Sequence, residues 1–206
     1  MPEFRELLDG YHRFRRDEYY RQRGRWEELQ EGQRPPIMIV ACCDSRVDPA
    51  TVFDLTPGQA FVLRNVANIV PPRMEGEDRA SVSSAIEFAV ESLGVRHIVI
   101  MGHGACGGIA AALAGEDLGE PGPSFIDHWI NLLKEPKRAV MERDVEDPQL
   151  ELEYEAVRQS LRNLETYDFI SRRVKDGALK LHGVHFTIGK GQLLVLDEAS
   201  GDFVPE

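Results

Sequence analysis

Residues 37–46 read IMIVACCDSR, an apolar run that stops on two cysteines and a charged pair. A second run of the same design, HIVIMGHGAC, occupies residues 97–106. Short continuous apolar runs are typical of strands that are buried on both faces. Parallel sheets place their binding sites beyond the carboxyl ends of their strands. The two runs therefore predict neighbouring parallel strands that deliver metal-binding side chains to one crevice.

The remaining pattern supplies further strands and the helices that cover them. Residues 60–65 (AFVLRN) predict a second strand, and residues 79–93 predict a helix that ends at Gly94. Apolar runs at residues 184–188 and 193–196, joined by GKGQ, predict a hairpin. We therefore expect an α/β fold with a mostly parallel central sheet of about five strands, in the order 2-1-3-4-5 with the last strand antiparallel, flanked by helices.

Helices are also predicted at the start of the chain and in its second half. Residues 124–141 and 147–171 each predict a helix, the second with Asp147 as its N-cap. No break in composition divides the chain, so residues 1–206 are expected to form a single domain. Residues 1–34 are rich in charged and aromatic side chains and predict an arm of one or two helices. Its aromatic side chains indicate that this arm packs on the domain or on a second subunit.

The composition excludes several functional classes. The chain has 206 residues and a formal net charge of −11, which argues against a surface for nucleic acid or an anionic membrane. No apolar run approaches the roughly 18 residues of a membrane span. The amino-terminal residues also lack the apolar core of a signal peptide, so we expect a cytoplasmic protein.

The three cysteines favour metal binding over a disulfide framework. Cys42 and Cys43 are adjacent and would bridge each other only with strain. In an extended strand Cys42 points to one side while Cys43 points to the other, away from the metal and toward the fold. His103 and Cys106 are spaced i, i+3 where a strand passes into a helix, so both can point to one spot. Cys, His and Cys are ligands that zinc prefers, and three of them leave a position for water.

The charged pair that follows Cys42 suits the control of that water. Asp44 lies on the same side as Cys42 and can orient or deprotonate the water molecule. Arg46 can pair with Asp44, keeping the carboxylate ionised and aimed. Taken alone, an Asp-Ser-Arg sequence is usually a turn and a single strand cysteine is usually a core residue. The presence of both motifs at the ends of two strands favours the functional interpretation.

The two motifs together resemble those of the β-class carbonic anhydrases, Cys-x-Asp-x-Arg followed further on by His-x-x-Cys. Here these are residues 42–46 and 103–106. The similarity continues through residues 61–68 (FVLRNVAN) and 84–90 (SAIEFAV), and covers roughly residues 35–200.

The resemblance implies reversible hydration of CO2 to bicarbonate and a proton by zinc-bound hydroxide. It implies one zinc ion per chain held by Cys42, His103 and Cys106, with Asp44 and Arg46 as the dyad that positions the hydroxide. In some members the aspartate becomes a fourth metal ligand and closes the site. Members assemble as dimers or multiples of dimers, with N-terminal helices gripping the partner subunit.

Some positions depart from the family. Cys43 fills a spacer position and is expected to be a bystander. Some bacterial members hold inhibitory bicarbonate with a Trp, an Arg and a Tyr, and the matching residues here are Ile39, Arg64 and Phe186. We therefore expect no bicarbonate inhibition of that type.

Other functions remain open at this point. The same fold and zinc chemistry serve hydrolysis of carbon disulfide or carbonyl sulfide. A non-catalytic protein that binds zinc or bicarbonate is a second alternative, although a purely structural metal needs neither Asp44 nor Arg46. A nucleotide-binding domain is weakly supported, because residues 102–104 (GHG) lack the full glycine fingerprint. His97 and His182 are expected to be packed or hydrogen-bonded rather than catalytic.

Overall fold

A computed structural model describes residues 3–73, 80–115 and 122–206. The chain separates into two compact units, Met1–Arg34 and Pro35–Glu206. Among the described residues, no helix has both the length and the apolar character needed to cross a membrane.

The first unit is helical. Helix α1 (Phe4–Phe14) passes into a π-helical segment (Arg15–Tyr19), and helix α2 (Arg23–Gln30) follows. The rings of Phe14 and Tyr19 lie 5.8 and 6.0 Å from the ring of Trp26. Aromatic packing thus joins the helical segments of this unit.

The second unit is built from strands that alternate with helices. Its first elements are β1 (Ile37–Cys42), α3 (Pro49–Val52), β2 (Ala60–Asn65), α4 (Ala80–Glu87), β3 (His97–His103) and α5 (Gly107–Ala114). The next are α6 (Phe125–Ile130), α7 (Lys134–Met141), α8 (Pro148–Leu164), α9 (Asp168–Lys175), β4 (Lys180–Thr187), β5 (Gln192–Leu196) and β6 (Phe203–Pro205).

The strands form one sheet in the order β2-β1-β3-β4-β5-β6. Strands β2, β1, β3 and β4 are parallel, and β5 pairs antiparallel with β4. The predicted fold class and the order 2-1-3-4-5 are therefore confirmed. The sequence prediction lacked β6, which pairs antiparallel with β5. Three residues that end on a proline are too short to give a strand signal of their own.

Apolar side chains cover both faces of the sheet. Met38 and Val40 of β1 belong to one buried cluster, with Ile98 and Ile100 of β3. Ile39 belongs to the cluster on the opposite face. This double burial explains why both strands are continuous apolar runs rather than alternating ones.

Two predicted helices are interrupted. The helix predicted over residues 147–171 ends at Leu164, because Tyr167 is extended (φ −86°, ψ 116°) and α9 begins after it. The Tyr167 hydroxyl donates a hydrogen bond to the carbonyl of Pro71. The helix predicted over residues 124–141 is broken by a 3₁₀ turn at Asn131–Leu133. The predicted helix at 79–93 begins at Ala80 and continues beyond Glu87 as a π-helical turn, and residue 79 lies outside the described residues.

Candidate metal centre

Two neighbouring strands end at the predicted ligands. Strand β1 ends at Cys42 and β3 ends at His103, while Cys106 is the N-cap residue of α5. The Cys42 and Cys106 sulfur atoms are 3.9 Å apart, and one ligand atom from each of the three residues lies within 4.8 Å of the others. All three side chains are buried. The cluster can therefore hold one metal ion.

The orientation of His103 fits a metal ion. Its Nδ1 lies 3.0 Å from the carbonyl oxygen of Gly104, which is an acceptor only, so Nδ1 carries the hydrogen. Its Nε2 is buried and has no hydrogen-bond partner among the described residues. A backbone carbonyl on one ring nitrogen and a free lone pair on the other is the usual arrangement of a metal-binding histidine.

The two sulfurs compete for protons. The pKa of the Cys42 thiol is lowered chiefly by its contact with the Cys106 thiol, and the neighbouring His103 side chain and the backbone N–H groups of Asp44 and Ala67 add to this effect. The pKa of the Cys106 thiol is raised by that same hydrogen bond and by burial. A divalent cation relieves this competition because it replaces the protons on both sulfurs. Two thiolates and one imidazole are a donor set that zinc prefers.

Asp44 and Arg46 lie beside this cluster. The Arg46 Nε and Nη2 atoms donate to the two carboxylate oxygens of Asp44 at 2.9 and 2.6 Å. These hydrogen bonds hold the pKa of Asp44 well below its usual range. Arg46 Nη2 also donates to the carbonyl of Ala105 at 3.0 Å, which joins the pair to the turn that carries Cys106. In this structure Asp44 lies against Arg46 and is not part of the cluster of three ligands.

Arg64 braces the same loop. Its Nε and Nη2 atoms donate to the carbonyl oxygens of Cys42 and Asp44, both at 2.8 Å, and its Nη1 pairs with Asp48 at 3.1 Å. The sequence motifs place Arg64 only at a position that holds bicarbonate in some relatives, and they do not predict this role. The sequence feature that could have indicated this role is an arginine near the end of β2, the strand that lies beside the end of β1.

The environment of Cys43 differs from the expectation that this side chain faces the fold. Cys43 is not part of the cluster of three ligands, and it is exposed rather than turned toward the fold. Strand β1 ends at Cys42, so the residue after it leaves the buried sheet. Its backbone N–H donates to the carbonyl of Asn65 at 2.9 Å.

Three other histidines, His97, His182 and His185, are hydrogen-bonded. His97 Nδ1 and His182 Nε2 are 3.0 Å apart, so these two side chains form a hydrogen-bonded pair. His185 is fully buried, and its Nε2 lies 3.0 Å from an oxygen of Glu153. Glu153 is not predicted from the sequence motifs. The sequence feature that could have identified it is its position as a charged residue on the apolar face of α8, beside Leu152, Ala156 and Val157.

Comparison with known proteins matches residues 37–193, more than half of the chain, to the carbonic anhydrase family model. The mitochondrial beta carbonic anhydrase 6 of Arabidopsis thaliana is 35% identical over 187 residues. That match covers 89% of this chain and 64% of the length of the Arabidopsis protein.

Solved structures of β-carbonic anhydrases are also similar to this chain. The β-carbonic anhydrase CcaA has a TM-score of 0.90 and 32% identity, with 98% of both chains covered. A structure from a study of two tetrameric β-carbonic anhydrases of Sordaria macrospora has a TM-score of 0.81 and 30% identity, covering 94% of this chain and 96% of that one. Family members use zinc, and the cluster of Cys42, His103 and Cys106 provides a site for it. The chain belongs to the β-class carbonic anhydrase family.

Proposed function

We propose that this chain catalyses the reversible hydration of CO2 to bicarbonate and a proton, with one zinc ion per chain held by Cys42, His103 and Cys106. The observation that carries the proposal is the buried cluster of these three ligands with the Asp44–Arg46 pair at its edge. Zinc, when bound, supplies a Lewis acid that makes a water molecule nucleophilic near neutral pH.

The proposed role of Asp44 is to orient the reacting water. The Oδ1 atom of Asp44 accepts hydrogen bonds from both the backbone N–H and the Nε of Arg46. The Oδ2 atom accepts one hydrogen bond among the described residues, from Arg46 Nη2, and keeps a lone pair for another donor. The lowered pKa of Asp44 keeps it ionised, so it accepts a hydrogen bond well and is a poor base. We therefore assign Asp44 to hold and aim the water rather than to remove its proton. Arg46 keeps Asp44 in place, and Asp44 becomes a fourth metal ligand only in a closed form in which it leaves Arg46.

We also propose that the protein works as a homo-oligomer, either a dimer or a multiple of dimers. Phe4, Leu7, Leu8 and Tyr11 follow helical spacing along one face of α1, and no residue of α1 is buried. An apolar helix face of this kind suits a partner subunit. The Sordaria macrospora relatives are described as tetrameric. Residues 1–34 are proposed as the arm that grips the partner, and the cytoplasmic location stays a prediction.

The test combines metal analysis with stopped-flow CO2 hydration. We expect about one zinc per chain, as three protein ligands predict, and CO2 hydration that rises toward alkaline pH. Hydrogen sulfide release from carbonyl sulfide and carbon disulfide should be measured on the same preparation. Protein with full zinc and no CO2 hydration at any pH would reject the proposal. Faster turnover of a sulfur substrate would assign the chain to the alternative reaction.

A further inference from the structure

Glu153 places a buried carboxylate directly beneath a zinc ligand. Its side chain in α8 is 2% exposed. Its Oε1 accepts the backbone N–H of Cys106 at 3.0 Å and the Gln149 side-chain amide at 3.2 Å. Its Oε2 lies 3.0 Å from the Nε2 of His185, which is fully buried. A carboxylate is costly to bury, and here three donors compensate for the water it loses.

The hydrogen bond to Cys106 acts on a short, constrained turn. Between the ligands His103 and Cys106, Ala105 has a positive φ of 55°, which is uncommon for a residue with a side chain. Cys106 then starts α5, so its N–H has no partner within the helix. Glu153 satisfies that N–H from outside and fixes the backbone from which the Cys106 sulfur extends.

We propose that Glu153 is a positioning residue for the zinc ligand Cys106, and that His185 in turn holds Glu153. This inference deepens the proposed function and rests on its zinc site. The predicted consequence is a higher zinc affinity and a defined ligand geometry. Partners of this kind outside the ligand set typically change metal affinity or activity by about 10- to 100-fold when they are removed.

The support beneath Glu153 is rigid. A Cβ atom on Gly102 of β3 would lie 2.7 Å from the Val157 side chain, so α8 packs tightly on the strand that ends at His103. The His185 ring lies edge-on to Tyr154 at 4.9 Å between centroids. Helix α8, which carries the carboxylate, is therefore held close to the strand that ends at His103.

The variant Glu153→Gln preserves size and removes the charge. With one amide oxygen, Gln can accept from either Cys106 N–H or His185 Nε2–H, and its NH2 group then faces the other donor. Moving the hydrogen of His185 to Nδ1 does not solve this, because Nδ1 is buried and has no partner among the described residues. We expect zinc to bind roughly tenfold more weakly, measured by competition with a chromophoric chelator. In the cobalt-substituted protein the visible absorption bands should shift, because they report ligand geometry.

Glu155→Gln is the matched control. It makes the same change two residues along α8, where Glu155 pairs with Arg158 and Arg162 and touches no ligand. We expect wild-type zinc affinity and a wild-type cobalt spectrum from this variant. Equal loss in both variants would mean that charge on α8 matters in general and would overturn the assignment of Glu153.

The remaining outcomes separate this inference from the proposed function. Wild-type protein that binds no zinc would reject the proposed function itself. Wild-type protein that binds zinc, together with Glu153→Gln of unchanged affinity and spectrum, would overturn only the role of Glu153, even if urea unfolding showed lower stability. If Glu153→Gln does not fold, the variant His185→Gln tests the inference instead. We expect His185→Gln to bind zinc roughly threefold more weakly, or weaker still. Unchanged zinc binding by this variant would overturn the inference.

Discussion

Arg46 binds both carboxylate oxygens of Asp44, through Nε at 2.9 Å and Nη2 at 2.6 Å, and the Arg46 backbone N–H adds a third hydrogen bond at 2.9 Å. A forked pair of this kind fixes direction as well as charge. Because the two residues are only two apart in sequence, the loop after β1 carries both members of the pair. In the proposed reaction, the lone pair that stays free on Asp44 accepts a hydrogen bond from the reacting water.

Replacing Asp44 by Asn should abolish most of the CO2 hydration while leaving zinc in place. The amide keeps the shape, but its NH2 group opposes the Arg46 guanidinium and cannot accept a hydrogen bond from water. We expect kcat to fall by about a hundredfold or more, the scale seen when a preorganised electrostatic contact is lost. Stopped-flow assays and zinc content measure the two effects separately.

The matched control for that variant is Asp54→Asn. Asp54 is exposed and has a positive φ of 49°, a conformation that Asn adopts readily. The CO2 hydration activity of the Asp54→Asn variant should equal that of the wild type. Asp44→Asn with wild-type kcat would remove Asp44 from the mechanism.

The two adjacent cysteines should respond differently to serine. Cys42→Ser replaces a buried sulfur 3.9 Å from the Cys106 sulfur, so the purified protein should lose most of its zinc. Cys43→Ser changes an exposed side chain and should retain about one zinc per chain. Zinc content by mass spectrometry after dialysis against a weak chelator measures both. If Cys43→Ser lost zinc and Cys42→Ser kept it, the metal ligand would be Cys43 rather than Cys42.

The sequence predicts the metal cluster because its signals are local. Cys42 and His103 each follow an apolar strand, and parallel strands bring such ends together. Glu153 and Arg64 could not be assigned, because their partners lie in other elements: 47 residues separate Glu153 from Cys106, and 22 separate Arg64 from Cys42. The end of α8 depends on the contact between Tyr167 and Pro71, which spans 96 residues. Periodicity cannot report contacts over such distances.

The His97–His182 pair should make stability fall at acidic pH. The pKa of His182 is lowered by burial and by its proximity to His97, with Lys180 adding to the effect and Glu198 opposing it. The unfolded chain, with a histidine pKa near 6.5, therefore binds more protons than the folded chain in the window just below that value. Stability from this source is fully present above about pH 6.5 and is lost as pH falls through the lowered pKa.

Urea unfolding at several pH values between 5 and 8 measures this dependence. The variant His182→Gln should show a smaller loss of unfolding free energy on acidification than the wild type. The exposed His128 provides the control, and His128→Gln should follow the wild-type curve. Identical slopes for the wild type and His182→Gln would show that another group causes the effect.

Two adjacent glycines at the start of α5 should respond in opposite ways to alanine. A Cβ atom on Gly108 would lie 2.7 Å from the Val66 side chain and 3.0 Å from the Cβ of Ala67, whereas one on Gly107 meets nothing within 4 Å. Ala67 has a positive φ of 62° and its N–H faces the Cys42 sulfur, so it has little freedom to retreat. Gly108→Ala should therefore lower the free energy of unfolding by about 1–3 kcal/mol, as overpacking does.

Gly107→Ala should raise the free energy of unfolding by up to about 1 kcal/mol, because alanine restricts the unfolded chain and favours the helix. Both variants make the same chemical change in the same helical turn, so the difference between them reports the close approach of α5 to residues 66–67. Urea denaturation of the zinc-loaded proteins at one pH measures it. Equal stability of the two variants would mean that α5 can shift away from that turn at little cost, and the packing that we describe at Gly108 would then not restrain the helix that begins at Cys106.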